Sequence, residues 1–119
     1  MNVREENKPA RRENKMTTAR DVIRIVIEDI DSEIKMLESL HEYALGKRFD
    51  SNAGKRSAMA AGIDYLQASE KFNFSIGFHE GMAGECEDRI NVLKRKRCYY
   101  ESLDMLYREE AEEEAEANE

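Results

Sequence analysis

The chain has 119 residues, which is enough for one ordinary domain but too few for two independent cores. Hydrophobic residues make up 40% of it and charged residues 38%, with one proline and no tryptophan, so the apolar residues must form stripes rather than a thick core. No window approaches the ~18 apolar residues of a membrane span, and the first residues lack the apolar segment of a signal peptide. We therefore expect a cytoplasmic, all-α protein without a membrane segment.

Residues 1–15 contain almost nothing to bury and hold the only proline, which predicts a flexible basic arm. Residues 16–108 carry the apolar periodicity and are predicted to form a single helical domain. Residues 109–119 are nearly all Glu and Ala. Like charges crowded at the C-terminus of a helix predict an acidic tail that frays into solvent.

The first helix should begin at an N-cap provided by Thr17 or Thr18 and end at Gly46 as the C′ residue. Its apolar positions alternate by four and three, which is the spacing of a coiled-coil-like seam. The seam consists of Ile23, Ile27, Ile30, Ile34, Leu37, His41 and Ala44. Val22, Val26 and Leu40 widen the stripe on one side and predict contact with further helices.

Turn-forming residues fill 47–56 and predict a loop. A short second helix is expected from Ser57 to about Phe72, and a long third helix from about Ser75 to beyond Tyr107. The predicted fold is thus a three-helix arrangement with a short middle helix. Part of the third helix would project beyond its neighbours, and self-association would cover its apolar surface.

Basic residues concentrate in two places, the 47–56 segment and the 94–97 run. If the chain goes up, down and up again, these two groups should meet at one end of the molecule, where they would suit a phosphate backbone or an acidic protein surface. The possible basic patch consists of Lys47, Arg48, Lys55, Arg56, Lys94, Arg95, Lys96 and Arg97.

Three glycines fall within eight residues, at Gly77, Gly81 and Gly84, although each helical glycine costs up to about 1 kcal/mol relative to alanine. Close helix crossing is the expected reason, with a strained helix start or a hinge as the alternatives. Aromatic residues cluster around these glycines and again near the end of the third helix. The predicted partner-binding residues are Phe72, Phe74, Phe78, Gly77, Gly81, Tyr99, Tyr100 and Tyr107.

No catalytic constellation is present in the sequence. Cys86 and Cys98 lie twelve residues apart on one predicted helix, about 18 Å, which is too far for a disulfide. His41 and His79 have no neighbouring CxxC or HExxH motif, so structural histidines are expected rather than metal ligands. The GK dipeptide of the 47–56 segment lacks the spacing and preceding strand of a phosphate-binding loop. We expect no enzyme activity, no cofactor and no metal.

The sequence therefore predicts a small non-enzymatic interaction protein, an adaptor or inhibitor that docks on a larger macromolecule, with a protein as the expected partner, and itself forms a homo-oligomer. Its size and blocky charge fit an accessory protein of a phage or mobile element. The alternative is a nucleic-acid-associated accessory protein that uses the 47–56 loop and the 94–97 run. An overall charge of −7 speaks against that alternative.

Overall fold

Two long helices account for nearly all of the described chain. The structure is a computed structural model that describes the backbone of residues 8–118 and the side chains of residues 18–118. Helix α1 spans Lys8–Ala60 and helix α2 spans Tyr65–Ala117. The all-α fold class is confirmed, but α1 and α2 take the place of the three helices predicted from the sequence.

The apolar stripe predicted for the first helix is largely buried. Ile23, Ile30, Ile34 and Ala44 are buried, and the remaining seam positions are half-buried. On α2 four of the buried positions follow the same alternation of three and four, namely Ala83, Cys86, Ile90 and Leu93. Ala68, near the start of the helix, is buried as well. Each helix thus contributes buried apolar side chains to the contact between the two.

The helices are joined by a turn at residues 61–64, within the second helix that the sequence predicts from Ser57 to about Phe72. The Ile63 amide donates to the Ala58 carbonyl at 3.0 Å and the Gly62 amide to the Met59 carbonyl at 3.1 Å. This pair of bonds is a Schellman motif, and Gly62 supplies the left-handed residue that the motif needs, with φ of 95°. The Asp64 carbonyl accepts the first hydrogen bond of α2, from the Ala68 amide at 2.9 Å, so α2 begins immediately after the turn.

The predicted loop at 47–56 and the predicted break at 72–77 are both wrong, because these segments are helical and face each other. Ser51 and Ser75 share a hydrogen bond of 2.8 Å, and Lys55 Nζ donates to Asn73 Oδ1 at 2.9 Å. Polar residues that favour turns in isolation are held in helix here by pairing across the helix interface, a tertiary effect that outweighs weak local propensity.

The ends of the chain are also more helical than expected. Residues 1–7 of the predicted basic arm lie outside the described residues, whereas the backbone of residues 8–15 belongs to α1. Thr17 and Thr18 consequently lie within α1 rather than at its start. The acidic tail continues α2 as helix to Ala117, with nearly all of its described side chains exposed.

The chain forms two compact units, each containing a segment of both helices. The terminal unit comprises Met1–Ser32 with Lys94–Glu119, and the turn unit comprises Glu33–Leu93. Within each unit the two segments run antiparallel. In the turn unit, for example, the α2 partner number falls from 87 to 73 as the α1 number rises from 41 to 55. Within the part of the chain that the structure describes, neither helix contains a stretch long and apolar enough to span a lipid bilayer.

Candidate interaction surfaces

The turn unit has a charged flank on one side of its helix seam. His41 Nε2 lies 3.6 Å from Glu87 Oε1, and Arg48 Nη1 lies 3.8 Å from Glu80 Oε1. Asn73, which accepts the Lys55 bond, lies seven residues before Glu80, and Glu87 lies seven after it, so the three α2 positions form one stripe. The charged side chains of this flank therefore already have partners within the turn unit.

The opposite flank of the same unit is apolar and has no covering element among the described residues. One α1 surface on this flank, which we term the Leu40 face, consists of Glu33, Met36, Leu40, Tyr43 and Lys47. Met36 is 72% exposed, Leu40 42% and Tyr43 55%. Arg89 Nη2 reaches this flank from α2 and lies 3.8 Å from Glu33 Oε1. An open groove lined by Glu33, Met36, Leu37, Leu40 and Arg89 runs along it.

An aromatic cluster of Tyr43, Phe74, Phe78 and His79 continues the apolar flank. The Phe78 ring contacts His79 edge-on, with 5.3 Å between ring centroids, and Tyr43 contacts the same imidazole at 6.3 Å. Phe74 stacks on Phe78 at 6.1 Å. Phe74 is nevertheless 81% exposed and Phe78 54% exposed. Two adjacent phenylalanine side chains thus face solvent from one helix surface.

Hydrogen bonds among His79, Ser75 and Ser51 anchor this cluster to the helices. His79 Nδ1 lies 2.7 Å from the Ser75 carbonyl oxygen and 3.2 Å from Ser75 Oγ, which in turn bonds Ser51 Oγ of α1. The carbonyl contact means that Nδ1 is the donor, since a carbonyl oxygen only accepts. The network fixes the His79 ring, and the rings of Tyr43 and Phe78 pack against that fixed ring.

The glycines predicted to lie at a close helix crossing are open instead. A Cβ built at Gly77, Gly81 or Gly84 meets no atom within 4 Å. The close approach occurs at Gly54, where a Cβ would lie 2.8 Å from Phe72 Cε1. Phe72, predicted as a partner-binding residue, is accordingly half-buried against α1. Gly77 and Gly81 lie exposed beside Phe74 and Phe78.

The terminal unit carries the second predicted aromatic group. Tyr99 is 63% exposed, whereas Tyr100 and Tyr107 are half-buried. Tyr99 and Tyr100 contact edge-on, with ring centroids 5.3 Å apart. Of the three tyrosines predicted to bind a partner, Tyr99 is therefore the most available to one.

The predicted basic patch is divided between the two units and partly engaged within them. Lys47 Nζ lies 5.6 Å from the Tyr43 ring centroid, and Lys55 Nζ lies 4.7 Å from that of Tyr65. The expected proximity of residues 47–56 to residues 94–97 required a third helix. With two helices, residues 47–56 lie beside residues 72–80 in the turn unit, while 94–97 belong to the terminal unit.

Arg97 is the most strongly held of the predicted basic residues. Its Nε donates to Asp31 Oδ1 at 2.6 Å and its Nη2 to Asp31 Oδ2 at 3.3 Å, and Nη1 also bonds Glu101. The hydrogen bond to Asp31 raises the pKa of Arg97 above its usual value. A guanidinium bonded to two carboxylates has little capacity left for a phosphate. The neighbouring Lys94, Arg95 and Lys96 are exposed.

The cysteines and histidines do not converge. Both cysteines are free; Cys86 is buried in the seam and Cys98 is exposed. Among the described residues, no three His, Cys, Asp or Glu side chains come together as a metal site would require. His41 and His79 each have a partner in the turn unit, as described above.

Comparison with known proteins identifies no relative: no protein-family model, no curated protein and no solved structure matches this chain.

Proposed function

We propose that the protein is a non-enzymatic interaction protein, an adaptor or inhibitor that docks on a larger protein partner through the aromatic cluster. The observation that carries the proposal is the exposure of the stacked Phe74 and Phe78 rings, 81% and 54%, on a helix surface that no described element covers. Exposed contiguous apolar surface marks interaction sites, and aromatic anchors provide most of the energy of protein interfaces.

The surroundings of these rings also suit docking. Gly77 and Gly81 lie on the same helix surface with nothing within 4 Å of their Cβ positions, so a partner helix or strand could approach the α2 backbone closely. The hydrogen-bonded His79 ring beneath Phe78 restricts the motion of that side chain. A ring that is already ordered loses less entropy on binding.

The experiment is affinity capture from a lysate of the native host, followed by mass spectrometry and direct titration of the captured protein. The test variant is Phe74→Ser/Phe78→Ser, and the matched control is Phe49→Ser, whose ring is 65% exposed elsewhere in the same unit. We expect the wild type and the control to enrich the same protein and the double variant to lose it, with unchanged helical circular dichroism in all three. Equal enrichment by all three would place the docking surface elsewhere.

A nucleic-acid function has weaker support. Arg48, Lys55 and Arg97 contact acceptors within their own units, and the net charge is −7. Affinity for nucleic acid depends mainly on cations that are free to neutralise phosphates. The proposed localisation is cytoplasmic.

A further inference from the structure

The Leu40 face of the turn unit leaves large apolar side chains open to solvent. Met36, Leu40 and Tyr43 are 72%, 42% and 55% exposed. Contiguous exposed apolar surface of this kind marks interaction sites.

The Leu40 face is complementary to itself. Glu33 lies seven residues before Leu40 and Lys47 seven residues after it, so the three side chains form one stripe with opposite charges at its ends, each about 10 Å along the axis from Leu40. Met36 and Tyr43 lie in between, on a parallel stripe. When two copies of such a stripe pack antiparallel with Leu40 on Leu40, each Glu33 meets a Lys47 and each Met36 meets a Tyr43.

The α2 residues beside this face follow the same symmetry. The contact of His41 with Glu87, at 3.6 Å, sets the level of α2 that lies beside Leu40. Glu85 and Arg89 lie two residues on either side of that level, and both are exposed. The same twofold rotation therefore brings each Glu85 close to an Arg89 of the other copy, which adds a second set of opposite charges.

We propose that the Leu40 face is the interface of a homodimer in which two turn units pack antiparallel about a twofold axis at Leu40. The occupant is a second copy of this chain because the charge pattern of the face is complementary to itself. Dimerisation through this face is a separate proposal from the partner-docking function above, although Tyr43 belongs to both the Leu40 face and the aromatic cluster.

The test measures the mass of the full chain by size-exclusion chromatography with light scattering, from 1 to 100 µM, and the dissociation constant by sedimentation equilibrium. The wild type should have twice the 13.8 kDa mass of one chain at the higher concentrations. Leu40→Glu places two carboxylates against each other at the axis and should give a monomer. Leu66→Glu is the matched control, because Leu66 is 69% exposed in the same unit but lies off the face, and it should remain dimeric.

A charge-reversal experiment keeps the proposal testable if Leu40→Glu fails to fold. Lys47→Glu and Glu33→Lys should each raise the dissociation constant about tenfold, since each places like charges at both ends of the stripe. A one-to-one mixture of the two should recover wild-type association, because every contact in the mixed dimer is again between opposite charges. Arg56→Glu is the control for charge reversal away from the face. A monomeric wild type at 100 µM, an undisturbed Leu40→Glu dimer or a mixture that does not recover would overturn the proposal.

Discussion

At the scale of single residues, the structure reassigns the roles of the glycines. The close packing expected around Gly81 occurs at Gly54, where the Phe72 ring fills the space of a missing side chain. The sequence contains no signal that distinguishes the two sites, because the choice depends on which α2 residue lies opposite each glycine, and that register is a tertiary property.

Leucine substitutions at these two glycines should therefore have opposite effects. Gly54→Leu should destabilise the fold by about 1–3 kcal/mol, since the Phe72 ring and the helix backbones must move apart. Gly81→Leu should raise stability by about 0.5–1 kcal/mol, because its Cβ meets nothing and leucine favours helix over glycine. Urea unfolding followed by circular dichroism measures both. A destabilised Gly81→Leu beside an unaffected Gly54→Leu would contradict the assigned contact.

At the scale of elements, the heptad seam from Ile23 to Ala44 was predictable and the helix ends were not. A stripe of large aliphatic residues identifies a buried helix face whatever packs on it. The segment 47–56 has no such stripe, and its helical state depends on partners such as Ser75 and Asn73 that only the folded register supplies. The actual turn does carry a local signal, a glycine followed by an apolar residue and then an N-cap type, at Gly62, Ile63 and Asp64.

The position of the turn can be tested by substituting Gly62, its residue with positive φ. Gly62→Ala should lower the free energy of unfolding by about 1–2 kcal/mol, since a β-carbon is disfavoured in the left-handed region. Gly46→Ala is the control, because Gly46 is a mid-helix residue with nothing within 4 Å and should become more stable by up to about 1 kcal/mol. Thermal and urea unfolding of both variants give the comparison. Equal stabilisation by the two alanines would place the turn elsewhere.

At the scale of the whole molecule, the sequence indicated which residues could form the candidate sites but not how those residues would be arranged in space. Phe74 and Phe78 could be predicted from the sequence because they cluster beside three glycines, and Tyr99 because it lies on the apolar part of the third helix that was expected to project; all three are exposed. The Leu40 face was not predicted as a site, since Leu40, together with Val22 and Val26, fits a widened seam equally well. Recognising this face requires knowing which α2 side chain lies beside each flank of α1. Arg89 lies on the flank of the Leu40 face and Glu87 on the opposite flank.

The charge distribution of the whole chain leads to a prediction for nucleic acid. Gel shifts with duplex and single-stranded DNA and RNA should show little binding at ~150 mM salt, since the net charge is −7 and Arg97 is bonded to Asp31 and Glu101. The informative variant neutralises the exposed Lys94, Arg95 and Lys96. Strong, salt-sensitive binding that this variant abolishes would favour the nucleic-acid function over the docking function.

The proposed dimer through the Leu40 face would make the stability of this chain depend on its concentration. When folded chains associate and unfolded chains do not, mass action raises the melting temperature with concentration. The wild-type Tm should therefore rise measurably between 2 and 200 µM chain, whereas the Tm of Leu40→Glu should stay constant and lie at or below the lowest wild-type value. Leu66→Glu should follow the wild type, because its substitution lies off the Leu40 face. Calorimetry with circular dichroism at matched concentrations measures these curves. A wild-type Tm independent of concentration would mean that the two helices are stable as a monomer in spite of the surface they expose.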